Sequence, residues 1–228
     1  MNGDVHVCLV GPEAVKLSAL RAQCDSFVLD TGKGLAAAIN AGIASLPESV
    51  RFVNWLGDDD VLTPGGITTL ATAVSMQRDA VLAYGHCRYI DASGTTLFTV
   101  RPSRWAESLL RFGPQLISQP AMLFRRNIFQ QIGGLDEQLG WAFDLDLLIK
   151  LRQQGRFVAV RQVVASYRWH ESALTVGSRK DSVREASVVR KRHLPPIARP
   201  LSRLWEPLVR RVVLCAGVLL TRRHSKAL

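Results

Sequence analysis

The sequence predicts an α/β fold, a mainly parallel sheet sandwiched by helices, followed by a basic C-terminal helical tail. Three observations carry that prediction. Short β-rich apolar runs alternate with segments of helical apolar spacing, the pattern of strands joined by crossover helices. Glycine and proline mark the joints, as in Gly11-Pro12 and Pro47. Charge is divided unevenly along the chain. Residues 1–178 hold 16 Lys+Arg and 16 Asp+Glu, which cancel, whereas residues 179–228 hold 13 basic and 3 acidic residues. The tail therefore carries the whole net charge of +10.

The elements follow in order. VHVCLV (5–10) reads as a strand closed by Gly11-Pro12, residues 13–24 as a helix, and SFVLD (26–30) as a second strand. TGKG leads into LAAAINAGIASL (35–46), an alanine-rich helix that must stop before Pro47. RFVNWL (51–56) is a buried strand ending at Asp58, Asp59 and Asp60. Pro64 suits the first turn of the helix GGITTLATAVSMQ. AVLAYGHCRYI (80–90) is another strand, and DASG (91–94) is a turn. Farther on, DLDLLIKLRQQ is a helix with carboxylates in its first turn and Gly155 at its end. ASYRWH reads as a strand returning toward the sheet edge.

A chain of 228 residues fits one large domain or one domain with an appendage. The boundaries expected are 1–178 for the α/β domain and 179–228 for the tail. Hydrophobic residues at 47% and charged residues at 21% exclude wholesale disorder. The four cysteines are far apart and form no CxxC pair, so neither a zinc site nor a disulfide framework is expected. With no basic segment and long apolar run near Met1, no signal peptide is expected. Reduced thiols and this N-terminus point to a cytoplasmic protein.

Three adjacent aspartates repel one another, so their placement needs a reason. One reading is a solvated loop in which Asp58 or Asp60 caps the next helix. The other is a hard divalent cation, Mg²⁺ or Mn²⁺, held by one or two carboxylates together with phosphate oxygens. Ligands in such folds bind at the carboxyl ends of strands, where these aspartates stand. Asp136, Glu137, Asp144 and Asp146 form a second carboxylate group. Asp136 and Glu137 follow Gly133-Gly134 and suit the cap of a short helix. Asp144 and Asp146 are two apart, so on a helix only one faces a given cleft. A lone histidine, His170, has two readings: a structural imidazole among aromatics, or a ligand to metal or pyrophosphate.

TGKGLAAAINAGI, WLGDDDVLTPG, SQPAMLFRR, GGLDEQL, FDLDLLIKL and YRWHESALT, in this order, resemble glycosyltransferase family 2. The resemblance runs over about residues 26–176. It implies a GT-A-like (Rossmann-like) fold and inverting transfer of a sugar from a nucleotide-diphosphate sugar to an acceptor hydroxyl. The acceptor implied is a glycan, a polysaccharide or a lipid-linked sugar. Asp59 matches the metal-binding aspartate, Asp58 approaches the donor, and Asp60 and His170 join the metal side. Lys33 is a diphosphate contact. Asp144 matches the general base, and Gln119, Arg125, Asp136 and Glu137 fall on the acceptor side. Gly57 stands where many members carry an acidic residue. Members usually begin with a strand and helix that hold the nucleobase; VHVCLVGPE best matches the second strand, so that first unit is expected to be missing. A non-catalytic or truncated remnant acting as a binding subunit is the alternative function.

The tail contains an apolar core of nine residues (212–220) flanked by Arg210-Arg211 and Arg222-Arg223. Spanning a bilayer takes about 20 apolar residues, so an interfacial helix on anionic lipid is expected instead. Packing of that helix on the domain is the other reading. Nucleic acid is not an expected partner, because no nucleic-acid motif accompanies the charge.

Overall fold

A computed structural model describes residues 5–12, 18–169 and 179–224. In chain order the elements are β1 (Cys8–Gly11), α1 (Ser18–Arg21), β2 (Ser26–Leu29), α2 (Leu35–Ser45), β3 (Phe52–Val53), β4 (Val61–Leu62), α3 (Gly66–Ser75) and β5 (Ala80–Ile90). Then follow β6 (Thr96–Val100), α4 (Ala106–Leu109), β7 (Met122–Arg125), α5 (Arg126–Gln131), α6 (Phe143–Gln154), β8 (Arg156–Arg168), α7 (Arg179–His193) and α8 (Ser202–His224).

The α/β architecture expected from the alternation is present, but the sheet is mixed. The main sheet runs β3-β7-β5-β8-β4, with β6 also paired to β5. Among the described residues only β1–β2 and β5–β8 are parallel pairings; β3–β7, β5–β7, β4–β8 and β5–β6 are antiparallel. Strand direction depends on partners far away in sequence, and apolar periodicity does not encode it.

Alternation along the strands builds two cores. Leu82 and Tyr84 of β5 and Phe124 of β7 join Ile39, Phe129 and Leu147 on one face. Ala83, Cys87 and Leu123 join Leu70, Val74 and Val164 on the other. α3 begins at Gly66, two residues after Pro64. A Cβ on Gly66 would lie 2.4 Å from the Val164 carbonyl oxygen, so glycine lets α3 lie close against β8. The core also continues past residue 178. Val189 of α7 is buried in the same cluster as Leu147 and Phe157, so α7 packs as part of the domain body.

RFVNWL is shorter as a strand than expected, since only Phe52 and Val53 pair, with Arg125 and Phe124. Among the described residues β1 pairs only with β2, and β3 only with β7. The β1–β2 pair is thus detached from the main sheet. A cavity of about 1760 Å³ lies between them, lined by Leu9, Ile39, Ile43 and Phe52. It continues to the aspartates and to the start of α6.

Candidate functional site

Asp58, Asp59 and Asp60 occupy the turn between β3 and β4, closed by the Asp60 N–H donating to the Gly57 carbonyl at 3.2 Å. β4 then pairs with β8 through Val61 with Ser166 and Leu62 with Ala165. That pairing brings Arg168 onto the turn. Its backbone N–H donates to Asp60 Oδ1 at 2.9 Å, and its Nε donates to the Asp59 carbonyl at 2.9 Å. The same guanidinium reaches the carbonyls of Asp91 and Ala92, at 2.8 and 3.0 Å, in the turn after β5. The turn is therefore a fixed structure, and neither Asp58 nor Asp60 caps α3, whose N-cap is Gly65.

Gly57 has a steric role here. A Cβ at this position would lie 2.8 Å from Asp59 Oδ1 and 3.4 Å from Asp60 Oδ2. Its absence lets both carboxylates fold back over the turn. Burial pushes the Asp60 carboxyl up to about 6, and the neighbouring Asp59 and Asp58 charges add to that rise against the Arg168 N–H. A cation would relieve this crowding of negative charge. Among the described residues no group of three or more His, Cys, Asp or Glu is arranged to hold a metal. The oxygen donors present fit a hard ion completed by ligand phosphates better than an ion caged by protein alone.

The opposite wall is the start of α6. Asp144 is half-buried in the cavity lining, with Gln115 Nε2 donating to its Oδ2 at 2.8 Å and the Leu145 N–H to its Oδ1 at 2.7 Å. Burial moves its carboxyl above the ordinary range, against the pull of those two donors. A base so shifted works closer to neutral pH. Asp146, two residues on, is completely buried and faces away. Its Oδ1 meets His193 Nε2 at 2.6 Å and its Oδ2 meets Lys150 Nζ at 2.7 Å, which ties α6 to α7. Burial alone would raise the Asp146 carboxyl, but those two partners hold it below the ordinary range.

α6 has no side-chain cap of its own, because Ala142 stands at the N-cap. Glu185 of α7 takes that role from a distance. It accepts the backbone N–H groups of Gly140, Trp141 and Ala142 at 3.0, 2.7 and 2.6 Å. Trp55 and Trp141 contribute aromatic walls beside Asp144, and Trp55 packs on Phe143 with ring centroids 6.3 Å apart.

The remaining expected site residues divide sharply. Gln119 lines the cleft and donates to Trp55 O at 2.6 Å and Asn54 Oδ1 at 3.1 Å, bracing the exit from β3. Arg125 stands outside the lining; it donates to the carbonyls of Ala80, Val74 and Gln77 and closes the C-terminal end of α3. Asp136 accepts Arg192 at 2.6 Å and the Gln138 N–H, and Glu137 accepts Asn40 Nδ2 at 2.9 Å. Both hold loops to helices, away from the cleft, and no short helix follows them for capping. Lys33 is exposed in the loop before α2 and does not line the cavity. His170 lies outside the described residues.

Gln115 and Glu185 were missed by sequence reading. Gln115 lies in no recognisable pattern. Glu185 carried one signal, being one of only two acidic side chains, with Asp181, in the basic stretch RKDSVREASVVRKR.

No family model matches the chain. It is 27% identical over 149 residues to an uncharacterized glycosyltransferase of Rickettsia prowazekii (strain Madrid E), covering 62% of this chain and 46% of that one. It is 30% identical over 118 residues to the O-antigen biosynthesis protein RfbC of Myxococcus xanthus, covering 52% of this chain and 9% of that protein. The chain spans less than half the length of either relative. Among solved structures, S. aureus TarS (1–349) superposes with a TM-score of 0.58 at 13% identity, over 90% of this chain and 61% of that one. The mannosyltransferase PcManGT from Pyrobaculum calidifontis, in complex with GDP-Man and Mn²⁺, gives a TM-score of 0.56 at 13% identity, over 97% and 66%. The fold is that of GT-A-type glycosyltransferases.

Proposed function

We propose that the chain is an inverting glycosyltransferase that moves a sugar from a nucleotide-diphosphate donor to an acceptor hydroxyl. The observation that carries this reading is one cavity lined by both the Asp58–Asp60 turn and Asp144. The relative named as a glycosyltransferase supports the same class, and the neighbour holding GDP-Man and Mn²⁺ supports the donor type and the ion.

Asp59 and Asp60 hold a divalent cation, Mn²⁺ or Mg²⁺, on the donor side, with Asp58 beside the donor and His170 a further candidate ligand. When bound, that ion stabilises the charge that develops on the departing diphosphate. Asp144 takes the proton from the acceptor hydroxyl as it attacks the anomeric carbon from the face opposite the leaving group. The Gln115 amide holds Asp144 Oδ2 and so fixes the carboxylate at the cleft wall. Trp55, Trp141 and Gln119 shape the acceptor side, and glycan, polysaccharide and lipid-linked sugars are the acceptor classes proposed. The tail places the enzyme on an anionic membrane surface; among the described residues no helix is long and apolar enough to cross a membrane.

A second reading, a non-catalytic binding subunit, is favoured by the gap between β1 and β3, on the side where the resemblance puts the nucleobase. Calorimetric titration with UDP, GDP and ADP in Mn²⁺ separates the two. The enzyme reading expects one nucleotide to bind and EDTA to abolish the binding. Binding indifferent to EDTA contradicts the metal assignment, and no binding of any nucleotide favours the subunit.

A further inference from the structure

Two carboxylates converge on the start of α6. The Asp144 side chain accepts the Leu145 N–H of the first turn at 2.7 Å. Glu185, reaching across from α7, accepts the backbone N–H groups that lead into the helix, those of Gly140, Trp141 and Ala142. A purely structural cap would need only those hydrogen bonds. Glu185 also brings a charge.

That charge acts on Asp144. The positive end of a helix favours the ionised form of a carboxylate, so a lone carboxylate there is a weak base. Glu185 sets a second negative charge at the same end, and a like charge close by strengthens the hold of Asp144 on a proton. Its field adds to the rise that burial gives the Asp144 carboxyl. The cations nearby are engaged elsewhere. Arg190 of α7 lines the same cavity and pairs with Glu206 at 2.7 Å. Lys150 and His193 meet Asp146, and Arg192 meets Asp136. Arg152, near the other end of α6, meets Glu107. Across the cavity stand Asp58, Asp59 and Asp60, which are of the same sign as Glu185.

We propose that Glu185 is a positioning residue for the reaction: its hydrogen bonds fix the segment leading to Asp144, and its charge favours proton uptake by Asp144. This rests on the reading of Asp144 as the base given above. It gives α7 a part in the chemistry as well as in the packing.

Carbon-13 NMR of the aspartate carboxyls in the full chain tests it without any substrate, with the Asp144 signal identified by its loss in Asp144→Asn. In the wild type, Asp144 should titrate above the ordinary aspartate range; a midpoint at or below about 4 overturns the proposal with no variant needed. Glu185→Gln keeps an oxygen for the N–H groups and removes the charge. In that variant the proton affinity of Asp144 should fall at least about threefold, at a melting temperature near wild type. Glu185→Asp keeps the charge on a shorter arm and should stay closer to wild type than Glu185→Gln does. A midpoint unmoved in Glu185→Gln, or lowered equally in both variants, overturns the electrostatic role while leaving Asp144 as the base. Turnover at the wild-type rate in Asp144→Asn overturns the base reading, and this proposal with it.

Discussion

On one wall of the cleft, the aspartate turn is fastened by Arg168, which donates to three backbone carbonyls. On the other, the helix start carrying Asp144 is held by Gln115, by Glu185 and by the ion pairs of Asp146. The first wall is a turn with an exposed Asp58; the second is anchored in a buried network that reaches α7. A group that must meet an incoming hydroxyl at fixed distance gains from such bracing. A turn that receives a ligand with its own ion and phosphates needs less of it. The contrast teaches that α7, part of the basic segment, is structural support for the helix start that carries Asp144, the proposed base.

Breaking the second wall should have the larger effect. Asp146→Asn leaves Lys150 and His193 beside a neutral amide, and removing one partner from a buried ionic group costs about 3 kcal/mol. Because the folded state holds the Asp146 carboxyl below its unfolded value, its contribution is complete above about pH 4 and fades as pH falls through the depressed value. Thermal melts of wild type and variant should therefore differ most near neutrality and converge in acid. A gap that stays constant down to acid pH would mean that the carboxylate charge is not what holds α7. Breaking the first wall should cost less, about 2 kcal/mol for Arg168→Ala, because the freed carbonyls can meet water at the edge of the turn. Calorimetry with a nucleoside diphosphate should show weaker binding in the same variant. An unchanged melt together with unchanged binding would remove Arg168 as the brace.

Much of this was legible in the sequence where local pattern decides. The strand at 80–90 and the helices at 35–45 and 143–154 follow from apolar runs, Pro47 and Gly155. Residues two apart diverge on a helix, and Asp144 lines the cleft while Asp146 turns to His193 and Lys150. What failed was long-range. Arg125 and Arg168 are both arginines at strand ends, but only their partners reveal that one closes α3 and the other ties down the aspartate turn. Asp136 looked like a cap and is paired with Arg192, 56 residues away. Strand directions, the shortness of β3 and the inclusion of α7 in the core depend on tertiary pairing in the same way.

The central claim is that Asp144 is the base facing a donor held at the aspartate turn. The direct test is Asp144→Asn, assayed for release of nucleoside diphosphate from the sugar nucleotide that the protein binds, in the presence of acceptor. The account predicts a loss on the order of 10³-fold in turnover with donor affinity retained. A variant that turns over at a rate comparable to wild type would contradict it.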